Sequence, residues 1–140
     1  MDAFDADVLI YAAVDGHPLG KRILALFPPG PAGPSDAPAG IGSVLLLPEL
    51  LSKPVRAETA DELAKLDALL ARLDLLPVDR ATAQLATALG ASYRLHAADA
   101  VHIATAVAGG ADRFLTNNQS DFPKTIAEID VVYPEHLTEP

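Results

Sequence analysis

Four acidic residues stand beside apolar runs, at the boundaries of predicted helices and strands. Asp5 precedes the apolar residues 8–11, and Glu49 lies in the first turns of an otherwise apolar predicted helix. Asp99 begins another apolar helix, and Asp121 follows a predicted strand. Taken singly, each is explained as a capping, dipole-favoured or turn residue. Gathered at one edge of a sheet, they would repel one another unless cations or protons intervened.

A cluster of carboxylates has a specific chemistry. Oxygen ligands suit Mg²⁺ or Mn²⁺ rather than zinc. The reaction that uses such a site is hydrolysis of phosphate esters, with a metal-activated water as nucleophile. The chain has no cysteine, which excludes a disulfide scaffold, a thiolate metal site and a cysteine nucleophile. Its net charge of −9 argues against a broad nucleic-acid-binding surface. That charge does not exclude a nucleic-acid enzyme, because bound cations govern the local field.

The elements that must position these acids alternate along the chain. Apolar, β-rich segments predict strands at residues 41–43, 75–78, 113–116 and 129–132. Helical periodicity predicts helices at residues 21–27, 45–56, 60–73, 80–95 and 98–108. Residues 8–11 fit a buried strand or the start of a helix. Alternation of this kind predicts an α/β fold with a parallel sheet, whose functional crevice lies at the carboxyl ends of the strands.

Length and composition set the scale of the molecule. The 140 residues suit one domain, 1–140, with a proline- and glycine-rich loop at residues 28–40 inside it. No apolar run approaches the roughly 20 residues that span a bilayer. The acidic first residues are unlike the basic start of a signal peptide. We therefore expect a soluble, cytoplasmic protein with no membrane partner.

Four segments in order resemble the sequence blocks of PIN domains. Residues 4–11 read FDADVLIY, residues 43–50 SVLLLPEL, residues 98–106 ADAVHIATA and residues 114–122 FLTNNQSDF. Together they span nearly the whole chain, and its length is similar to that of VapC-like toxins of type II toxin–antitoxin systems. The resemblance implies a PIN-like three-layer α/β/α fold, with a central, mostly parallel sheet of four to five short strands.

The same resemblance implies roles for the acids. Asp5, Glu49 and Asp99 would be catalytic residues and metal ligands. Asp121 is the preferred fourth ligand, although many members place an acid where this chain has Asn118. With Asp121 as the fourth acid, Asn118 would be a neutral ligand or a contact to substrate.

Further residues are expected to support the site. Asp7 stands where the family often has Asn or Ser, and Ser43 and Thr116 would hold carboxylates in place. His102 follows Asp99 by three residues, on the same helical face, where it would contact a ligand carboxylate or the substrate phosphate, or serve structure alone. No partner is evident for the other histidines, which are His17, His96 and His136.

The implied activity is that of a Mg²⁺- or Mn²⁺-dependent endoribonuclease that hydrolyses RNA phosphodiester bonds. Its implied partners are RNA, a cognate antitoxin and a second copy of the chain in a homodimer. Two alternatives stay open. A PIN fold that binds a partner and cuts nothing is one; a haloacid-dehalogenase-type phosphatase, suggested by Asp5-Ala6-Asp7, is the other.

Overall fold

A five-stranded parallel sheet forms the centre of the computed structural model, which describes all 140 residues. The strands are β1 (Asp2–Phe4), β2 (Gly40–Ser43), β3 (Leu73–Leu76), β4 (Arg113–Leu115) and β5 (Asp130–Val132). Their order is β3-β2-β1-β4-β5, and every neighbouring pair is parallel. The prediction of an α/β fold around a mostly parallel sheet of four to five short strands is confirmed.

Six α-helices cover this sheet. They are α1 (Ala6–Ala13), α2 (Pro18–Leu24), α3 (Leu46–Ala57), α4 (Ala60–Leu70), α5 (Arg80–Tyr93) and α6 (Ala97–Ala108). A short 3₁₀ helix spans Pro134–His136. None of the helices is long and apolar enough to cross a membrane.

Alternate residues of the short strands supply two separate cores. Ala3 and Phe114 are buried with residues of α5 and α6 on one face of the sheet. Their neighbours Phe4 and Leu115 are buried with residues of α1, α2, α3 and α4 on the other face. Because successive side chains of a strand point to opposite faces, strands of three or four residues can serve both cores. The sheet is thus buried on both sides, which gives the expected three layers.

The first strand lies earlier than the sequence suggested. Residues 8–11 belong to α1, so of the two structures left open for them the helix is correct. The strand is Asp2–Phe4, and Asp5 therefore follows a strand where we expected it to precede one. Three residues are too few for a strand signal by themselves. The pairing of Asp2 with both Gly40 and Arg113 stabilises β1, and these partners are distant in the sequence.

Several other predicted boundaries shift. The predicted helix 60–73 ends at Leu70, because Leu73 pairs with Gly40 as the first residue of β3. The predicted strand 75–78 is accordingly Leu73–Leu76, and it ends before Pro77, which has no backbone N–H to donate. The predicted helix 21–27 is α2, Pro18–Leu24. The remaining predicted helices and strands differ at their ends by one or two residues.

The strand order determines where the site lies. The chain runs from the central β1 outward to β2 and β3, then returns to β4 and β5 on the other side of β1. In open α/β sheets of this kind, the crevice opens at the carboxyl ends of the two strands where the order reverses. Here those strands are β1 and β4. Residues 28–39, as predicted for the loop, form no helix or strand.

Candidate functional site: a carboxylate cluster at the sheet edge

Asp5 occupies the centre of the crevice, directly after β1. Its backbone N–H donates to the carbonyl of Leu115 at 2.9 Å and thereby extends the ladder between β1 and β4. Its Oδ1 accepts from the backbone N–H of Ala6 at 2.8 Å, which caps α1. Its Oδ2 accepts from Oγ1 of Thr116 at 2.8 Å. Only 5% of Asp5 is exposed, and burial raises its pKa above the ordinary value against the opposing effect of the Thr116 bond.

Asp7 lies in the first turn of α1, and only one of its two carboxylate oxygens has a hydrogen-bond partner. Its Oδ2 accepts from the backbone N–H of Asn117 at 3.0 Å, whereas its Oδ1 is buried without a hydrogen-bond partner. Burial raises the pKa of Asp7 to about 7, and the neighbouring charge of Asp5 adds to the rise. An orphaned buried carboxylate oxygen is costly, so this position fits a proton or a cation.

Glu49 and His102 meet across the edge of the sheet. Glu49 lies in the first turn of α3, and His102 lies on α6, on the opposite face of the sheet. Oε2 of Glu49 is 3.0 Å from Nε2 of His102, an ion-pair distance. The imidazole is 2% exposed, and neither of its nitrogens makes a well-aligned hydrogen bond. His102 therefore touches a predicted ligand carboxylate, which was one of the two functional contacts expected for it.

Asp99 and Asp121 complete the carboxylates of the crevice. Asp99 lies in the first turn of α6, and Asp121 lies in the loop after β4. Burial is the main reason that the pKa of Asp99 is raised, and the charges of Asp5 and Asp121 raise it further. Nδ1 of His96 lies 3.8 Å from Oδ2 of Asp99 and 3.9 Å from Oδ2 of Asp121. One ligand atom from each of these three side chains falls within 4.8 Å of the others.

Asn118 and Thr116 order the loop that carries Asp121. Nδ2 of Asn118 donates to Oδ2 of Asp121 at 2.9 Å. The backbone N–H of Asn118 donates to Oγ1 of Thr116 at 3.1 Å, so Thr116 serves both this loop and Asp5. Ser43 lies further back: its Oγ accepts from the backbone N–H of Leu45 at 3.1 Å, just before α3 begins. Its hydrogen bond thus fixes the start of the helix that carries Glu49 and involves no carboxylate.

The negative charge of the carboxylate cluster is not balanced by lysine or arginine. Lysine and arginine make four ion pairs in the molecule, and none of them involves a carboxylate of this crevice. The nearby titratable bases are the imidazoles of His96 and His102. The donors are therefore carboxylate oxygens with one accessible imidazole, and Oδ1 of Asp7 has no partner at all. This oxygen-rich set fits a divalent metal ion.

Of the predicted acids, the structure places Asp99 and Asp121 at ligand spacing, and it adds His96, which the sequence analysis left without a partner. Asp5 and Glu49 lie outside this ligand-spaced group, near enough for their charges to act on Asp99. His96 precedes α6 by one position, and its side chain is 83% exposed beside two carboxylates. The contact of His96 with Asp99 could have been predicted, because the two residues are three apart at the start of one helix. The contact of His96 with Asp121 could not, because it depends on how the loop after β4 folds.

Comparison with known proteins agrees with this architecture. The PIN domain family profile matches residues 3–127. A solved toxin–antitoxin complex from Klebsiella pneumoniae contains a similar chain: 25% identity, TM-score 0.70, and coverage of 96% of this chain and 98% of that one. A chain in the Rickettsia felis VapBC2 complex, bound to a DNA fragment from its promoter, is 18% identical with a TM-score of 0.66. That match covers 94% of this chain and 97% of that one.

No curated protein is significantly similar in sequence. The family match nevertheless covers most of the chain, and both solved neighbours match its fold over nearly their full lengths. The resemblance identified from the four sequence blocks is confirmed. The chain belongs to the PIN domain family, and its fold is that of the VapC-like members.

Proposed function

We propose that the protein is a metal-dependent endoribonuclease that hydrolyses RNA phosphodiester bonds, the toxin of a toxin–antitoxin pair. The observation that carries this proposal is the ligand-spaced group of Asp99, Asp121 and His96, beside which no lysine or arginine forms an ion pair. Asp5 and Glu49 lie within electrostatic reach of Asp99. Membership of the PIN family and likeness to a chain in a toxin–antitoxin complex support it.

Asp5, Glu49, Asp99 and Asp121 would hold one or two divalent ions. A bound ion would supply a more acidic water and would screen the charge of the phosphate. The chain's own groups have separable tasks. Asp5 is fixed by Thr116 and the start of α1, so its carboxylate is preorganised. Glu49 rests against the buried His102.

Asp99 and His96 would act on the RNA itself. Asp99 is partly exposed and its pKa is raised, which suits it to accept the proton of an attacking water. Water adds to phosphorus as the bond to the leaving ribose oxygen breaks, and that oxygen takes up a proton. His96 stands at the outer rim, where its ring can donate a hydrogen bond to the RNA backbone.

The direct test is cleavage of a mixed RNA pool by the purified protein. Cleavage is expected with Mn²⁺ or Mg²⁺ and is expected to cease in EDTA. Asp5→Asn and Glu49→Gln should each abolish it, whereas Asp67→Asn, an exposed acid on α4, should not change it. Cleavage that continues in EDTA would contradict the proposal.

A partner surface belongs to the same proposal. A cavity of about 620 Å³ lies away from the carboxylates, between α1, α2 and α4. Its walls include the apolar Leu24, Phe27 and Leu69. Lys21 adds positive charge, whereas Lys65 pairs with Asp15 of the same wall at 2.9 Å. We propose that a segment of the antitoxin occupies this groove. A copurified partner that inhibits RNA cleavage should be lost from Leu24→Glu, with cleavage retained; inhibition that survives the substitution would refute the groove.

A homodimer is the last part of the proposal. Helix α4 offers no apolar face for an interface, because its Leu66, Leu69 and Leu70 are buried in the core. Helix α3 instead carries an apolar stripe toward solvent, in which Leu47 is 40% and Val55 58% exposed. Sedimentation should show a dimer for the wild type and a monomer for Val55→Lys. A wild-type monomer would refute this part alone.

A non-catalytic binding module is the second candidate, favoured by the neutral Asn118 where many relatives carry an acid. The amide of Asn118 holds Asp121, which restores a fourth carboxylate to the crevice. The phosphatase alternative needs a lysine beside the acids. Lys124 instead lies over the ring of Tyr133, 5.1 Å from its centroid. No metal binding and no cleavage would favour the binding module.

A further inference from the structure

Two rings stack on each other beside the carboxylate cluster. Tyr11 lies on α1, and His17 lies just before α2. Their ring centroids are 4.5 Å apart and their planes differ by only 8°. Both side chains are partly exposed. The pair, called here the Tyr11–His17 stack, is therefore accessible from solvent.

Hydrogen bonds hold both rings in place. Nδ1 of His17 accepts from the backbone N–H of Leu19 at 3.2 Å and of Gly20 at 3.1 Å, and thereby caps α2. An accepting Nδ1 places the ring proton on Nε2. The hydroxyl of Tyr11 accepts from Nδ2 of Asn117 at 3.4 Å. The stack is thus formed before any ligand arrives, and little entropy is lost when one binds.

Asn117 joins the stack to the carboxylates. Asp7 and Tyr11 are four residues apart on α1, so they share a helical face. The backbone N–H of Asn117 donates to Asp7, and its side chain donates to Tyr11. Asn117 also follows Thr116, which donates to Asp5. A group that rests on the stack therefore lies close to a phosphate held at the cluster.

The negative charge of the molecule determines which interactions are available to bind RNA near the stack. The chain carries a net charge of −9, and the cluster has no neighbouring lysine or arginine ion pair. Phosphate attraction usually dominates the affinity of nucleic-acid-binding proteins, and this surface supplies little of it. Stacking of bases on aromatic rings is the other general source of affinity for single strands, and it tolerates any sequence.

We propose that the Tyr11–His17 stack is a platform for an unpaired nucleobase adjacent to the phosphodiester that is cleaved. The proposal rests on the proposed ribonuclease function and adds to it a base-binding subsite. It makes the substrate a single-stranded or looped RNA, because a base within a helix cannot reach an exposed ring.

The test uses Asp99→Asn protein with Mn²⁺ and a short single-stranded RNA that contains 2-aminopurine. The chain has no tryptophan, so the fluorescence of this base is read against little protein background. The fluorescence is expected to be quenched when the RNA binds. Adding Tyr11→Leu should weaken binding by about 5- to 150-fold and remove the quenching. Tyr11→Phe keeps the ring and should retain both.

Matched variants separate the platform from the fold. His17→Asn removes the second ring but keeps a side chain that caps helices well, so it should weaken binding with α2 intact. Tyr93→Leu removes a tyrosine whose hydroxyl contacts Glu128 and none of the cluster's carboxylates, and it should leave RNA binding unchanged. Thermal unfolding verifies that each variant is folded. If Tyr11→Leu fails to fold, His17→Asn still decides the question.

The outcomes distinguish the two proposals. Metal-dependent cleavage by the wild type, with binding and quenching unchanged in Tyr11→Leu or His17→Asn, would overturn the platform and leave the nuclease standing. Absence of cleavage by the wild type, with no RNA bound, would overturn the nuclease and the platform with it. Weaker binding and lost quenching in the ring-removing variants alone would establish the platform.

Discussion

Replacing Asp7 with asparagine is expected to stabilise the metal-free protein at alkaline pH. The Oδ1 of Asp7 is buried with no partner, and burial together with the charge of Asp5 raises the pKa of Asp7 to about 7. An asparagine keeps the shape and can still accept the hydrogen bond from Asn117. It carries no charge, so the variant removes the unfavourable ionisation.

The magnitude follows from the difference between the folded and unfolded pKa values. The pKa of Asp7 rises from 3.8 to about 7 on folding. In this interval the unfolded chain has lost the proton and the folded chain keeps it, so stability falls as pH rises. One pKa unit corresponds to about 1.4 kcal/mol, which makes the complete loss about 4 kcal/mol above pH 7. At pH 5 only about 1.6 kcal/mol of it has been lost.

The asparagine has a cost of its own. Its Nδ2 occupies the place of the orphaned oxygen, and an unsatisfied buried donor costs about 1 to 3 kcal/mol at any pH. The variant is therefore expected to match the wild type near pH 5. Its advantage in the free energy of unfolding is expected to grow by about 2 to 3 kcal/mol between pH 5 and pH 8.

Urea denaturation in EDTA at pH 5 and pH 8 measures this difference. Asp67→Asn, an exposed acid on α4, is the control and should show no such growth. Saturating Mn²⁺ should shrink the advantage of the Asp7 variant, because a bound cation compensates the carboxylates of the wild type. A variant whose stability relative to the wild type is the same at pH 5 and pH 8 would refute the reasoning.

Three further substitutions have expected outcomes. Thr116→Val removes the hydroxyl that donates to the buried Asp5 at 2.8 Å, so urea denaturation at pH 7 should show a loss of about 1 to 3 kcal/mol. His102→Leu removes a buried imidazole whose nitrogens make no hydrogen bond. The thermal midpoint should therefore stay the same or rise. The affinity for Mn²⁺, measured by calorimetry, should fall, because the contact with Glu49 is lost. Gly20→Ala should lower the thermal midpoint, because a Cβ there would overlap the carbonyl of Tyr11. Helix propensity alone predicts the opposite, a gain in stability of up to about 1 kcal/mol.

Much of the site's location could be predicted from the sequence, because its acids stand at element boundaries. Glu49 and Asp99 begin apolar helices, and in an α/β sheet the starts of helices gather at the carboxyl edge of the strands. The roles of these acids as metal ligands stay predictions. The family was identifiable from four ordered blocks, although each block alone is weak.

The rest depends on contacts between segments distant in sequence. The strand Asp2–Phe4 has no periodicity of its own and exists because β2 and β4 pair with it. Stacking of His17 on Tyr11 depends on the turn between α1 and α2, and the approach of His96 to Asp121 depends on the loop after β4. Side-chain types and local spacing do not specify such meetings. For this reason the sequence left both histidines without partners.

The central claim is that one carboxylate cluster performs metal-dependent RNA cleavage, and a single comparison tests it most directly. Wild type and Asp99→Asn are incubated with the same RNA pool in Mn²⁺, after circular dichroism has verified that both are folded. The account predicts cleavage by the wild type and none by Asp99→Asn. This variant loses a carboxylate whose pKa is raised by the nearby charges of Asp5 and Asp121. Cleavage by the folded Asp99→Asn protein at the wild-type rate would contradict the account.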